Sequence, residues 1–302
     1  MRKQFCDAML ARAPNPKMVF LTGDLGFMAL EPLQEAIGER FINAGVAEQN
    51  MISVAAAMSR TGLEVWAYSI APFCTSRPFE QIRNDVALHE LPVKIVGNGG
   101  GYGYGVMGPT HHAIEDYGTL LALHGMRACI PAFDEDVDAA VQIVGDTPAP
   151  FYLRLGRGEG PQGFQPPPFA AWRQLTFGSG PVMVVVGPLA GTYIAAIEAL
   201  PEKQRPNLWI VGILPIALSP IPTAMLLQLA HANAVIVVEE HVARGGFGSE
   251  LALCLALRGL TPKRFVHLYA QSHRYERYGS QAFLRQQSGL DLGSVMTALS
   301  SL

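Results

Sequence analysis

The sequence predicts an α/β chain made of two open sheets covered by helices, and three observations carry that prediction. Short β-branched runs alternate with helical stretches through the first half. A Gly- and Pro-rich segment, 158–168, breaks the pattern, and the alternation then restarts. In order, Met18–Leu21, Leu63–Tyr68, Val93–Val96, Ala128–Ile130 and Phe151–Leu153 read as strands, and the apolar run Phe41–Ala44 adds a short one ahead of Glu48. Glu48–Arg60, Pro78–Leu88, Tyr117–Leu123 and Asp134–Val144 read as the helices between them, which calls for a parallel sheet covered on both faces. In the second half, Val182–Val186, Leu208–Val211, Ala234–Val238 and Phe265–Leu268 supply a smaller sheet. Its helices fall near Thr192–Leu200, Pro222–His231 and Gly248–Leu257. The expected division is a first domain over 1–158, a linker over 159–172 and a second domain over 173–302.

Composition narrows the function classes. Of 302 residues, only 16% are charged and 49% are hydrophobic, so a partner subunit is expected to cover apolar surface. A net charge of −3 with no basic block argues against nucleic acid and anionic membrane as partners. Cys6, Cys74, Cys129 and Cys254 are far apart and form no CxxC pair, which speaks for a reducing compartment and against a zinc site. The N-terminal residues lack an apolar signal core, and no apolar run reaches membrane-spanning length, so a cytoplasmic protein is expected.

Four stretches carry chemistry. In Gly45-Val46-Ala47-Glu48-Gln49, a strand-to-helix turn puts one carboxylate at the sheet rim, ahead of the apolar stretch Met51–Met58 that must be buried. Such a Glu either hydrogen-bonds a ring nitrogen of a bound cofactor or merely favours the helix N-terminus. The Gly-rich run Asn98–Gly108 follows a strand and ends in Pro109-Thr110-His111-His112. It contains a formal GxGxxG, but no helix begins inside it, so it reads as a long loop that lets a ligand approach the backbone. Pro109 stiffens the loop and delivers the imidazole of His111 at a fixed place, where it can meet a substrate oxygen or move a proton. Arg154 and Arg157 at a strand end suit a phosphate or carboxylate, or, for Arg154, an interdomain ion pair. Glycines 245, 246 and 248 after Glu239-Glu240-His241 serve an anion nest or close packing, of which packing is the plainer reading.

Taken together, GVAEQ at 45–49, RPFEQIRN at 77–84, GPTH at 108–111, Arg157-Gly158 and Glu239-Glu240-His241 occur in the order found in the transketolase family, which this chain resembles from about Asp7 to Leu290. The family includes deoxyxylulose-phosphate synthase and, further off, the beta subunits of pyruvate dehydrogenase-type enzymes. The resemblance implies a thiamine diphosphate-binding pyrimidine domain followed by a transketolase C-terminal domain. It implies that Glu48 matches the glutamate that hydrogen-bonds N1′ of the aminopyrimidine, and that His111 matches an active-site histidine on the donor's oxygens. Arg157 looks like the arginine that grips the substrate phosphate, and Asp24 resembles an aspartate near the cofactor across the dimer interface. The GDG motif and downstream Asn that hold Mg²⁺ and the diphosphate are missing. The chain is therefore expected to pair with an N-terminal transketolase subunit that carries them, in an α₂β₂ assembly, and to bind cofactor weakly alone.

Departures from the family pattern bear on the substrate. Met107 stands where many members have an aspartate, Gly99 where they have a histidine, and Met28 where they have a serine. Three lost polar contacts, each worth ~1 kcal/mol, point to an atypical sugar. The family's phenylalanine positions fall on Ala71 and Cys74, leaving Phe73 as the nearest candidate to stack on the pyrimidine. The expected activity is transfer of a two-carbon ketol unit from a ketose to an aldehyde. The alternatives are a decarboxylating acyl transfer like that of pyruvate dehydrogenase beta subunits, and a non-catalytic scaffold of the same fold.

Overall fold

A computed structural model describes residues 1–25, 29–158, 160–273 and 278–302. Six strands of the first half are β1 (Met18–Thr22), β2 (Phe41–Asn43), β3 (Glu64–Ile70), β4 (Lys94–Asn98), β5 (Arg127–Cys129) and β6 (Phe151–Leu155). The second half adds β7 (Trp172–Gln174), β8 (Val182–Val186), β9 (Asn207–Val211), β10 (Ile213–Leu214), β11 (Ala234–Glu239) and β12 (Arg264–Tyr269). The first sheet runs β10-β5-β6-β4-β3-β1-β2 and is parallel apart from β10, while the second runs β12-β11-β8-β9-β7 with β7 antiparallel. Both sheets are flanked by helices, as the alternation requires. Strands β1, β4, β6 and β8 are buried at every position, which is why β1 and β8 read as near-continuous apolar runs rather than alternating ones.

Register fixes where function can sit. Thr22 lies opposite Tyr68, Ile70 opposite Asn98, and Asn98 opposite Leu155, so β1, β3, β4 and β6 end along one edge. The loops leaving that edge carry Asp24, Phe73, Gly99 and Arg157. The order 2-1-3-4-6 places the topological switch point between β1 and β3, where open α/β sheets form their ligand crevice.

The helix Glu48–Arg60 explains the first motif. Its buried residues are Glu48, Met51, Ile52, Ala55, Ala56 and Ser59, a stripe at helical spacing that packs under the sheet. Glu48 heads that stripe, so the packing that buries Met51 and Ile52 also buries the carboxylate. Only this stripe is fully covered; Ala57 is exposed and Val54 half-buried, because a helix on one face of a sheet hides one side alone.

The two halves are welded together. β10 leaves the second half and pairs with β5 of the first, Ile213 opposite Cys129. One apolar core runs from Ile52, Tyr117 and Ile130 through to Val184, Leu214 and Met225. Sequence patterning does not reveal β7 and β10, which have three and two residues and no period to read. The helix expected over Pro78–Leu88 is a short turn, Phe79–Gln81, continued as a π-helix over Ile82–Ala87. Helices Arg2–Arg12, Glu31–Ile37, Gln281–Gln287 and Leu292–Ser300 complete the helical layers.

Candidate active site

The crevice beside β3 gathers four side chains. Glu48 is 4% exposed, and its Oε2 accepts a hydrogen bond from an Nη of Arg77 at 2.7 Å. The guanidinium carbon of Arg77 lies 4.2 Å from the centre of the Phe73 ring. Phe73 in turn meets the His111 imidazole edge-on, with ring centres 5.1 Å apart and planes at 63°. Glu48, Arg77, Phe73 and His111 therefore form one contiguous row. Local structure explains it: Phe73 sits on the short helix Ala71–Thr75 that caps β3, and Arg77 N–H bonds the Pro72 carbonyl just past that helix.

His111 occupies a single turn of 3₁₀ helix, Pro109–His111, started by Pro109 and a positive-φ glycine, Gly108. Its Nδ1 is 3.0 Å from Thr110 Oγ1, and Tyr104 stands beyond it with ring centres 6.4 Å apart. His112 points away: its Nε2 is 3.1 Å from the Gly105 carbonyl, and burial pushes its pKa down.

The loop glycines have a different purpose from the one expected. A Cβ on Gly99 would lie 2.2 Å from the Tyr104 ring, one on Gly100 2.5 Å from Arg154 Nε, and one on Gly101 2.7 Å from Glu240 Cγ. The loop is glycine-rich because side chains of this same protein press against it. The Tyr104 hydroxyl accepts from Asn98 Nδ2 at 2.6 Å, which holds the Tyr104 ring in the space that a longer residue 99 would take.

Three of the remaining sequence candidates, Met107, Asp24 and Arg157, are exposed. Met107 is 56% exposed. Asp24 is exposed and accepts from Asn43 Nδ2 at 3.0 Å, while its N–H bonds the Gly45 carbonyl. Arg157 is exposed and lines a cleft of about 560 Å³ with Pro188, Thr192, Ser280 and Arg285. Residue Met28 lies outside the described residues. Among the described residues, no three His, Cys, Asp or Glu side chains cluster in a way that could hold a metal ion. No described helix is long and apolar enough to cross a membrane.

Arg154 turns out to be a buried brace. Its Nε donates to Asp116 Oδ2 at 2.7 Å, and one Nη donates to the carbonyls of Ala113 and Glu240, each at 2.9 Å. Around it, Glu239 accepts from the N–H groups of Phe247 and Gly248, both at 2.9 Å, and from the Tyr117 hydroxyl, with His267 Nε2 at 2.6 Å. The glycine-flanked helix start at 245–248 thus does hold an anion, but an internal one. His241 Nδ1 lies 2.8 Å from the Val242 carbonyl and its Nε2 accepts from Gly118 N–H at 3.1 Å; this neutral tautomer agrees with a pKa lowered by burial.

Comparison with known proteins decides the family. Residues 6–162 match the family described as "Transketolase, pyrimidine binding domain". The chain belongs to the transketolase family. One subunit of the apulose-4-phosphate transketolase of Phocaeicola vulgatus is 28% identical over 296 residues, 92% of each chain. The 1-deoxy-D-xylulose-5-phosphate synthase 2 of Geobacter sulfurreducens is 29% identical over 87% of this chain, which spans 42% of that protein's length. A solved structure entitled "Split gene transketolase, inactive beta4 tetramer" superposes with a TM-score of 0.83 at 28% identity, covering 99% of this chain and 96% of that one. The transketolase-family resemblance and the two-sheet α/β fold read from the sequence are thereby established, and the two of these that align over nearly their whole length are named as a transketolase subunit and a split-gene transketolase.

Arg77 and Tyr104 are the site residues that sequence reasoning did not single out. Arg77 belongs to the RPFEQIRN stretch, and its position directly after the aromatic-bearing segment that follows β3 is the signal the sequence holds. Tyr104 was hidden among glycines.

Proposed function

We propose that this chain is the C-terminal, pyrimidine-binding subunit of a two-component thiamine diphosphate-dependent enzyme that moves a two-carbon ketol unit from a ketose to an aldehyde. The observation that carries this reading is the Glu48 carboxylate, 4% exposed, at the switch point and in a row with Phe73 and His111. A buried acid beside an aromatic face offers a hydrogen-bond acceptor and a flat wall to a nitrogen heterocycle, so these residues fit the pyrimidine half of the cofactor. Bound thiamine diphosphate supplies the carbon nucleophile and electron sink that no side chain offers. Glu48 holds a proton at the ring nitrogen, Phe73 gives the ring a flat wall, and His111 meets the sugar's oxygens. Arg157 presents an exposed cation to a phosphate at the cleft. The metal and diphosphate are assigned to an N-terminal partner subunit, in an α₂β₂ pairing. Asp24 fits a place near that partner's cofactor end.

Exposed Met107 and the Tyr104-covered Gly99 leave fewer polar groups for a sugar chain than the family pattern provides. This favours a donor or acceptor other than an ordinary pentose phosphate, in keeping with a relative named for apulose 4-phosphate. The test is reconstitution with the partner subunit and assay of ketose cleavage against CO₂ release. Ketose-dependent aldehyde formation is expected, falling at least about 100-fold in Glu48→Gln. Turnover by the chain alone, or full activity of Glu48→Gln, would overturn the reading.

A further inference from the structure

We propose that Arg77 is a built-in occupant of the pyrimidine seat, holding Glu48 and Phe73 until the cofactor displaces it; the inference rests on the reading of Glu48 given above. A guanidinium is flat, cationic and rich in N–H donors. That of Arg77 makes two contacts at once, a 2.7 Å hydrogen bond to Glu48 Oε2 and a face-on approach to Phe73 at 4.2 Å. A protonated aminopyrimidine asks for the same pair: an acid to accept its ring N–H and an aromatic face to lie against. One plane fits there, so guanidinium and ring compete.

Burial explains why a cation is kept in this place. Glu48 is nearly fully covered by the packing of its helix, and a buried carboxylate without a partner is costly. Arg77 relieves that cost, yet its own side chain remains 44% exposed, which leaves it a path out to water. Its backbone is fixed while this happens, because the N–H groups of Ser76 and Arg77 both bond the Pro72 carbonyl, and Pro78 follows. Only the side chain has to move. A half-exposed pair is weak, so the competition lowers the apparent cofactor affinity by about three- to tenfold and does not block binding.

The test measures thiamine diphosphate binding, at saturating Mg²⁺, to the complex of this chain with its partner subunit. Titration calorimetry would be run on the wild type, Arg77→Met, Arg77→Gln and Glu48→Gln. Methionine keeps the contact with Phe73 and loses the charge, and glutamine guards against a packing artefact. Both Arg77 variants are expected to bind about three- to tenfold more tightly than the wild type, and Glu48→Gln at least about tenfold more weakly. Unchanged or weaker binding in the two Arg77 variants, with Glu48→Gln still weakened, would overturn the occupant role and make Arg77 an aid to Glu48. Undiminished binding in Glu48→Gln would instead remove the pyrimidine seat itself, and the proposed function with it.

Discussion

Arg154→Met should be among the most damaging single changes in this protein. The guanidinium is 4% exposed and holds three acceptors: Asp116 Oδ2 at 2.7 Å and the carbonyls of Ala113 and Glu240. Removing it leaves the Asp116 carboxylate, 2% exposed, with the Tyr152 hydroxyl at 2.7 Å, since its Oδ1 has no partner among the described residues. Breaking a buried pair by deleting one member costs about 3–5 kcal/mol. The two stranded carbonyls add about 1 kcal/mol each where water cannot reach them. The expected loss is thus about 5–7 kcal/mol, half or more of a typical domain's stability. Urea unfolding followed by circular dichroism would measure it, with Asp116→Asn and the double variant completing a cycle. Because Asn at 116 removes the uncompensated charge, the double variant should recover about 2 kcal/mol or more relative to the sum of the singles. A loss below about 1 kcal/mol for Arg154→Met, or strict additivity, would refute the brace.

Two more outcomes follow from the same interface. Burial pushes the Glu239 carboxyl up, but hydrogen bonds from His267, Tyr117 and Gly248 outweigh it and hold the group below the ordinary value of 4.5. A lowered acid stabilises the fold fully above that value and loses the contribution as pH falls through its folded value. The difference between wild type and Glu239→Gln, about 2–3 kcal/mol at pH 7, should therefore shrink below pH 4.5; a difference constant from about pH 7 to 3 would contradict the assignment. Gly105→Ala would place a Cβ 2.4 Å from the Gly279 carbonyl oxygen, so it should cost about 1–3 kcal/mol and speed amide exchange through 105–113, whereas unchanged exchange would show that the loop does not rest on that backbone.

How far the sequence reveals this protein depends on the range of each interaction. The Glu48–Arg60 helix is readable to the residue because its stripe repeats over three turns and follows a turn glycine, Gly45, with positive φ. Strands β8 and β11 are readable because both faces are buried and the runs are long. By contrast, β10 is two residues long and is held in place by β5, some 85 positions earlier, so no local pattern encodes it. The site divides the same way. Glu48 and His111 stand in motifs with a local cause, a helix start and a proline-led turn. The row through Arg77 and Phe73 joins residue 48 to residue 111 across three chain segments, and only the sheet register brings them together.

The glycine-rich loop shows how one composition supports two physical stories. Read alone, the run from Gly99 to Gly105 advertises room for a ligand against the backbone. In the fold, that room is taken at Gly99, Gly100 and Gly101 by Tyr104, Arg154 and Glu240, and at Gly103 and Gly105 by the backbone of Gly99 and of 279–281, all from this chain. Glu240 accepts from Tyr102 N–H at 2.7 Å and is gripped by Arg285 at 2.6 and 2.9 Å and by Gln281 at 3.0 Å. The second half of the protein therefore seats the loop that carries His111. Glycine is needed there because a charged side chain from a distant segment must reach the loop backbone, and a Cβ would stand in its path. The same contacts explain why no α-helix begins within the GxGxxG-like run, only a single 3₁₀ turn over Gly105–Met107. The N–H groups of Gly99 to Gly103 are spent on Leu155, Ala113, Glu240 and a turn to Gly100, and those of Gly105, Met107 and Gly108 on further turns, rather than left free for a phosphate. The resulting division of labour is physical: the first sheet's edge supplies Glu48 and Phe73, and the join between the two halves fixes the height at which His111 faces them.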